Sequence, residues 1–193
     1  MRPQAASSEE QALIARYGPT KQWTCDLELD KVGYDYWFQV MARRRRAEVV
    51  MIVQRPDKRL LLHTKTHHPP GTYRLPTGGV LWGESVPEAL DREQWEEMGV
   101  RLSIASMPGI VHYALRHTSS TIYFTSYLFL LCANDDIKPV AQDLTEAISG
   151  FRWVSPESIL AVAKRLRSVD HTWGGWGPFR AIAHDLLVET WDL

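Results

Sequence analysis

The chain has 193 residues, 45% hydrophobic and 23% charged, with a formal net charge of −1, the composition of an ordinary globular unit with appendages. This balance leaves no cationic footprint for nucleic acid or an anionic membrane. The two cysteines, Cys25 and Cys132, lie far apart with no CxxC spacing, so neither a zinc site nor a disulfide framework is indicated.

The N-terminus lacks a basic region followed by an apolar core, and no apolar run reaches membrane-spanning length. The expected location is the cytoplasm, with both thiols free. Ser8 to Tyr17 reads as a short helix opened by Ser7 or Ser8 and stopped by Gly18-Pro19. An aromatic segment follows, with Trp23, Tyr34, Tyr36, Trp37 and Phe38, and Tyr36 to Met41 predicts an additional strand. The run Arg43-Arg44-Arg45-Arg46 reads as a solvated connector.

Glu48 to Gln54 and Leu60 to Lys65 are strands joined by a turn through Pro56-Asp57. In the loop Thr66 to Thr72, His67 and His68 lack a third ligand at a zinc spacing and are expected to be exposed. That loop runs directly into Tyr73-Arg74-Leu75-Pro76. Alternation predicts strands over Gly109 to His117 and Thr121 to Leu131, the second with Thr121, Tyr123, Thr125 and Tyr127 on one face. A polar loop from Ala133 to Leu144 and an acidic segment at Glu146 lead to a last core strand ending at Val154. Ser155-Pro156-Glu157 opens a helix to about Arg167, with Ile159, Leu160, Ala163 and Leu166 as its buried side. After a Gly/Trp connector, Phe179 to about Thr190 forms a final helix, apolar at every helical step. It has to pack on the core, on the N-terminal extension or on a second subunit, so a homodimer is one expectation.

The stretch Pro76 to Val100 is the most informative. A glycine turn, Gly78-Gly79, feeds a helix marked at its start by the capping-box pair Ser85 and Glu88 with Pro87 between, and at its end by Gly99. Val86, Ala89 and Leu90 form an apolar stripe, and the same stripe continues as Glu93, Glu96 and Glu97. These acids therefore point into a cleft, at the helix end where carboxylates are least favourable, with Arg92 as the nearby cation. A bound cation would resolve that conflict, and an all-oxygen set suits magnesium or manganese.

Gly78, Glu84, Arg92-Glu93, Glu96-Glu97 and Gly99-Val100, in this spacing, resemble the Nudix box. Gln94 departs from it, standing where the family usually has an aliphatic residue. With the surrounding strand pattern the resemblance extends over residues 47–169, leaving 1–46 as an N-terminal extension and 170–193 as a linker and helix. The fold it implies is an α/β/α sandwich around a mixed sheet. It also implies that Glu93, Glu96 and Glu97, with the Thr77 carbonyl, hold metal, and that Arg92 and Glu84 orient the glutamates. Glu146, with Asp143 behind it, is the candidate for a further acidic ligand or base.

The chemistry expected is magnesium-dependent hydrolysis of a nucleoside diphosphate linked to another moiety. A nucleoside triphosphate-sanitising pyrophosphatase and a non-catalytic nucleotide sensor are the alternatives. The candidate substrate-binding residues are Arg74 with Tyr73, Trp82 and Tyr123, aromatics that would stack on a base, although burial in the core would account for them equally.

Overall fold

The structure is a computed structural model that describes residues 7–42 and 45–190. Along the chain run α1 (Ser8–Tyr17), β1 (Lys21–Glu28), α2 (Lys31–Ala42), β2 (Arg45–Gln54), β3 (Leu60–Lys65), β4 (Thr77–Leu81), α3 (Val86–Met98), β5 (Ser103–His117), β6 (Ser120–Cys132), β7 (Ile148–Val154), α4 (Ile159–Arg167) and α5 (Trp176–Thr190). Short 3-10 turns precede α4 and α5.

The strands form one mixed sheet in the order β1-β5-β6-β2-β3-β7, with β4 paired to β2. β1/β5 and β2/β6 are parallel; the other pairs are antiparallel. Strand β2 is apolar on both faces, the pattern of a strand covered from both sides. Val49, Met51 and Val53 pack toward Leu13 of α1 and Val86, Ala89 and Leu90 of α3. Val50 and Ile52 pack toward Trp37 of α2, Ile159 of α4 and Phe179 and Leu187 of α5. The molecule is thus an α/β/α sandwich. Gly78 and Gly79, expected as a turn, lie within strand β4 against Val49 and Glu48 of β2, and the turn into α3 falls at Trp82-Gly83.

Two segments before residue 45 differ from the sequence expectation. Tyr36 to Met41 belongs to α2 rather than to a strand. Gly33, Trp37, Val40 and Met41 fall on one side of a helix, and Asp30 Oδ1 accepts from the Gly33 N–H at 2.7 Å to start it. The strand lies earlier, at β1, whose alternating Trp23, Cys25 and Leu27 pack against the core. In α4, Leu160 is exposed while Ile159, Ala163 and Leu166 are buried. The final helix starts three residues earlier than expected, at Trp176.

Candidate active site

Helix α3 begins and ends where its sequence signals lie. Ser85 Oγ caps the Glu88 N–H, and Glu88 Oε2 accepts from the Ser85 N–H at 2.9 Å. Gly99 closes the helix in the left-handed conformation (φ 68°), its N–H bonded to Trp95 O. Glu93 and Glu97 are buried. Gln94, at the position that departs from the box, is buried too, and its Oε1 accepts from the Leu102 N–H at 2.8 Å. A hydrogen bond to the chain leaving the helix thus replaces aliphatic packing.

Glycine decides how closely β4 meets the helix. A Cβ on Gly78 would fall inside the Glu93 carboxyl group, so only glycine lets that side chain lie on the strand. Glu93 Oε1 accepts from the Gly79 N–H and from Arg92 Nη1, each at 2.8 Å. Arg92 is the hub of this corner. Its Nε and Nη2 grip Glu84 at 2.8 and 2.9 Å, Nη1 also reaches Glu96 at 2.8 Å, and Nη2 donates to Gly79 O at 2.8 Å. Burial would raise the Glu84 pKa, but hydrogen bonds from Arg92 and the Leu81 N–H hold it below the ordinary value.

A second cation enters from β3. Leu61, His63 and Lys65 alternate onto the α3 side of the sheet, and Lys65 Nζ stands 3.0 Å from Glu97 Oε1 and pairs with Glu146. The Glu97 contact pairs the charges without hydrogen-bond alignment, and neither Glu97 oxygen has a hydrogen-bond partner among the described residues. His63, wholly buried, lies 3.9 Å from Glu97 Oε2. Its pKa is pushed well down by burial and by Arg74 and Lys65, so the ring is neutral and adds no charge. Burial, reinforced by repulsion from Glu97, raises Glu93 to about 7. Burial also raises Glu97, against the pull of Lys65 and Arg74.

The remaining candidates divide by position. Arg74 is buried, with Nη1 donating to Leu75 O at 2.9 Å and to Thr77 Oγ1 at 2.8 Å, and so braces the segment carrying the Thr77 carbonyl. Tyr73 stacks with the Arg152 guanidinium at 4.2 Å, at a surface hollow of about 280 Å3 that also takes in Leu62 and Arg165. Trp82 is 65% exposed in the turn before α3. The structure does not bring Tyr123 to the acids. It is 63% exposed, four residues along β6 from Tyr127, the residue level with Gly78 across β2, or about 13 Å of strand. Asp143 caps the 3-10 turn that holds Glu146; its side chain bonds Thr145, and its backbone N–H donates to Glu96 O at 3.1 Å, which ties this loop to the end of α3.

Two residues behave differently from their expected roles, and a third, Lys65, had none. His68 is buried rather than exposed: its ring packs on Trp176 at 4.8 Å and Nδ1 accepts from the Lys65 N–H, and burial with the Arg74 charge lowers its pKa to about 2. Within the arginine run, Arg43 and Arg44 lie outside the described residues. Arg46 is no solvated connector, because it forms a two-pronged pair with Glu9 of α1 and donates to Glu84 O at 2.8 Å. Lys65 was legible only through strand parity, since nothing in the glycine–glutamate stretch points to it.

As posed, no three acidic, histidine or cysteine side chains among the described residues stand close enough to close on one ion. Arg92 lies between Glu93 and Glu96, and Lys65 between Glu97 and Glu146. The donor set nevertheless suits a hard divalent cation. A buried carboxylate with no hydrogen bond among the described residues and only the Lys65 charge beside it, next to a second buried carboxylate, is a group that such an ion would satisfy.

The NUDIX domain family model matches residues 44–173. The chain belongs to the Nudix hydrolase family. Nudix hydrolases generally use divalent metal ions and act on small nucleotide-type substrates. A curated relative, the NAD-capped RNA hydrolase NudC of Chromobacterium violaceum, is 27% identical over 103 residues, which are 53% of this chain and 37% of that protein. The chain therefore spans little more than a third of that relative's length. Among solved structures, it is similar to the dihydroneopterin triphosphate pyrophosphohydrolase of E. coli (TM-score 0.49, 19% identity, 63% of this chain and 86% of that one). It is also similar to a NUDIX hydrolase from Nitrosomonas europaea (TM-score 0.49, 18% identity, 77% and 93%). No helix of the described residues is long and apolar enough to cross a membrane.

Proposed function

We propose that this Nudix protein is a magnesium-dependent hydrolase that cleaves the pyrophosphate bond of a nucleoside diphosphate linked to another moiety. The observation that carries the reading is the buried pair Glu93 and Glu97, with Glu93 pressed on Gly78-Gly79 of β4 and Glu97 held by no hydrogen bond among the described residues, only by its ion pair with Lys65. Glu93, Glu96, Glu97 and the Thr77 carbonyl would hold the ion, and oxygen donors of this kind favour magnesium, with manganese as a substitute. When bound, a divalent ion neutralises phosphate oxygens and lowers the pKa of water for attack on phosphorus.

The chain's own residues do the rest. Arg92, locked on Glu84 and Gly79 O, fixes the rotamers of Glu93 and Glu96. A carboxylate whose pKa is raised toward neutrality is suited to take the proton from an attacking water, and Glu93 and Glu97 both have that property. Lys65 and the Glu146 loop sit at the open side of the cluster, where Lys65 is placed to exchange its carboxylate partners for a phosphate oxygen.

NAD is itself a nucleoside diphosphate carrying a second nucleoside, so the name of the curated relative is consistent with this class, although the overlap is too short to select a substrate. The test is a turnover screen with magnesium over nucleotide sugars, dinucleotides including NAD, NAD-capped RNA, ADP-ribose and nucleoside triphosphates, with products identified. Release of a nucleoside monophosphate from a linked diphosphate supports the proposal. Tight nucleotide binding with no turnover anywhere in the panel would replace it with a sensor. Pyrophosphate release from triphosphates alone would replace it with a sanitising enzyme.

A further inference from the structure

Helix α5 lies beyond the residues that the family model matches, yet it reaches the segment on which the proposed metal site is built. Two of its polar side chains are directed inward rather than to solvent. His184 is buried, and its Nε2 accepts from the Leu75 N–H at 3.1 Å while Nδ1 lies 2.8 Å from Arg180 O. Nε2 must be unprotonated to accept, so Nδ1 carries the proton and donates to that carbonyl, which fixes a single tautomer. One helical turn earlier, Arg180 Nη1 pairs with Glu48 Oε2 at 2.6 Å, and Ser126 Oγ donates to Glu48 Oε1 at 2.7 Å.

The two grips fall on either side of Thr77. Leu75 precedes it by two residues, and Glu48 is the β2 register partner of Gly79. Between them, Arg74 holds Leu75 O and Thr77 Oγ1. The space enclosed by Glu48, Arg74, Thr77, Arg180 and His184 is about 10 Å3, room for one water at most, so the arrangement is a brace and not a second ligand pocket.

We propose that His184 and Arg180 of the C-terminal helix are positioning residues for the Nudix site, holding the Leu75–Gly79 segment so that the Thr77 carbonyl and the Gly79 N–H that anchors Glu93 are set for metal. This rests on the metal-site reading given above. Pairing to β2 sets the register from Pro76 onward; without the His184 grip the Leu75 N–H is left buried and unpartnered and the entry to that strand is held less firmly, and an error of about 1 Å in a ligand can cost on the order of a hundredfold in rate.

The test compares His184→Leu, which cannot accept from Leu75, with His184→Gln, whose amide oxygen takes the place of Nε2. Mn2+ affinity is read by electron paramagnetic resonance, and kcat and KM are read on the best substrate of the screen. At a temperature where both variants are folded by circular dichroism, His184→Leu is expected to weaken Mn2+ binding and lower kcat by about tenfold or more, with KM changed much less. His184→Gln is expected to restore most of both. A folded His184→Leu with wild-type Mn2+ affinity and kcat overturns the inference, as does a His184→Gln no better than His184→Leu. If His184→Leu does not fold, the wild type decides: magnesium should shift the 15N resonances of the Leu75 amide and the His184 ring, and unmoved resonances in a protein that binds the ion overturn the inference. A wild-type protein that binds no Mn2+ sinks the metal-site reading itself, which separates the two failures.

Discussion

Glu93 titrates near neutrality because it is buried and faces Glu97, with Arg92 compensating only in part. Its pKa of about 7 lies above the ordinary 4.5, so the folded protein without metal holds an extra proton between those values. Stability then falls as pH rises through that window, by about 3 kcal/mol at most at 1.36 kcal/mol per pKa unit. The metal-free protein is expected to melt at a lower temperature at pH 8 than at pH 5.5, with magnesium reversing the difference because it favours the ionised carboxylates. A melting temperature that rises with pH in EDTA would contradict this. Replacing Glu97 with Gln should lower kcat by orders of magnitude while the melting temperature holds or rises, since a buried charge is removed; unchanged turnover would remove Glu97 from the site. Lys65→Met deletes the cation that shares Glu97 and Glu146, so the rise in melting temperature on adding magnesium should be larger than in the wild type. An equal or smaller rise would show that Lys65 does not compete with the ion.

At the scale of elements, α3 was fully legible and α2 was not. Ser85, Glu88, Pro87 and Gly99 are local signals, and their partners lie within one helical turn. Ser85→Ala should therefore cost about 1 kcal/mol, measurable as a shift in denaturant midpoint. In α2, aromatic and β-branched composition outweighed the helical spacing of Gly33, Trp37, Val40 and Met41, although Asp30 marked the start. Trp37 lies between Phe124 and Phe179, with centroids at 5.5 and 4.1 Å, so Trp37→Ala should cost on the order of 3–5 kcal/mol. A loss under 1 kcal/mol would mean that α2 is not docked as described. His68 shows the same limit in a loop: its burial comes from Trp176, which is more than a hundred residues away.

Across the whole molecule, the segments before β2 and after α4 complete both layers. Strand β1 covers the free edge of β5, α1 ties Glu9 to Arg46 and to the Val86 N–H, and α5 seals the far face with Phe179, Leu186 and Leu187. Ending the chain at residue 173 would leave that apolar face uncovered and Glu48 buried without its arginine. Such a chain is expected to aggregate or to lose cooperative unfolding, whereas the full chain should unfold in one transition by tryptophan fluorescence and circular dichroism. A soluble, cooperatively folded truncation would show that α5 is dispensable to the core.

What the sequence determined by itself is the glutamate helix, its caps and the strand alternation, because each depends on groups within a few residues of one another; Gly78-Gly79, which reads locally as a turn, became strand β4 by pairing with β2. Gly78 lies at the limit of that range: its need to lack a Cβ comes from the side chain fifteen residues on, within one strand–turn–helix unit. Tertiary structure alone decided which distant groups meet that helix. Lys65 beside Glu97, Arg46 on Glu84 O, His184 on the Leu75 N–H and Arg180 on Glu48 all join residues from separate elements. No local spacing encodes those meetings, because sheet order and helix docking set them, and both follow from burying two apolar faces at once.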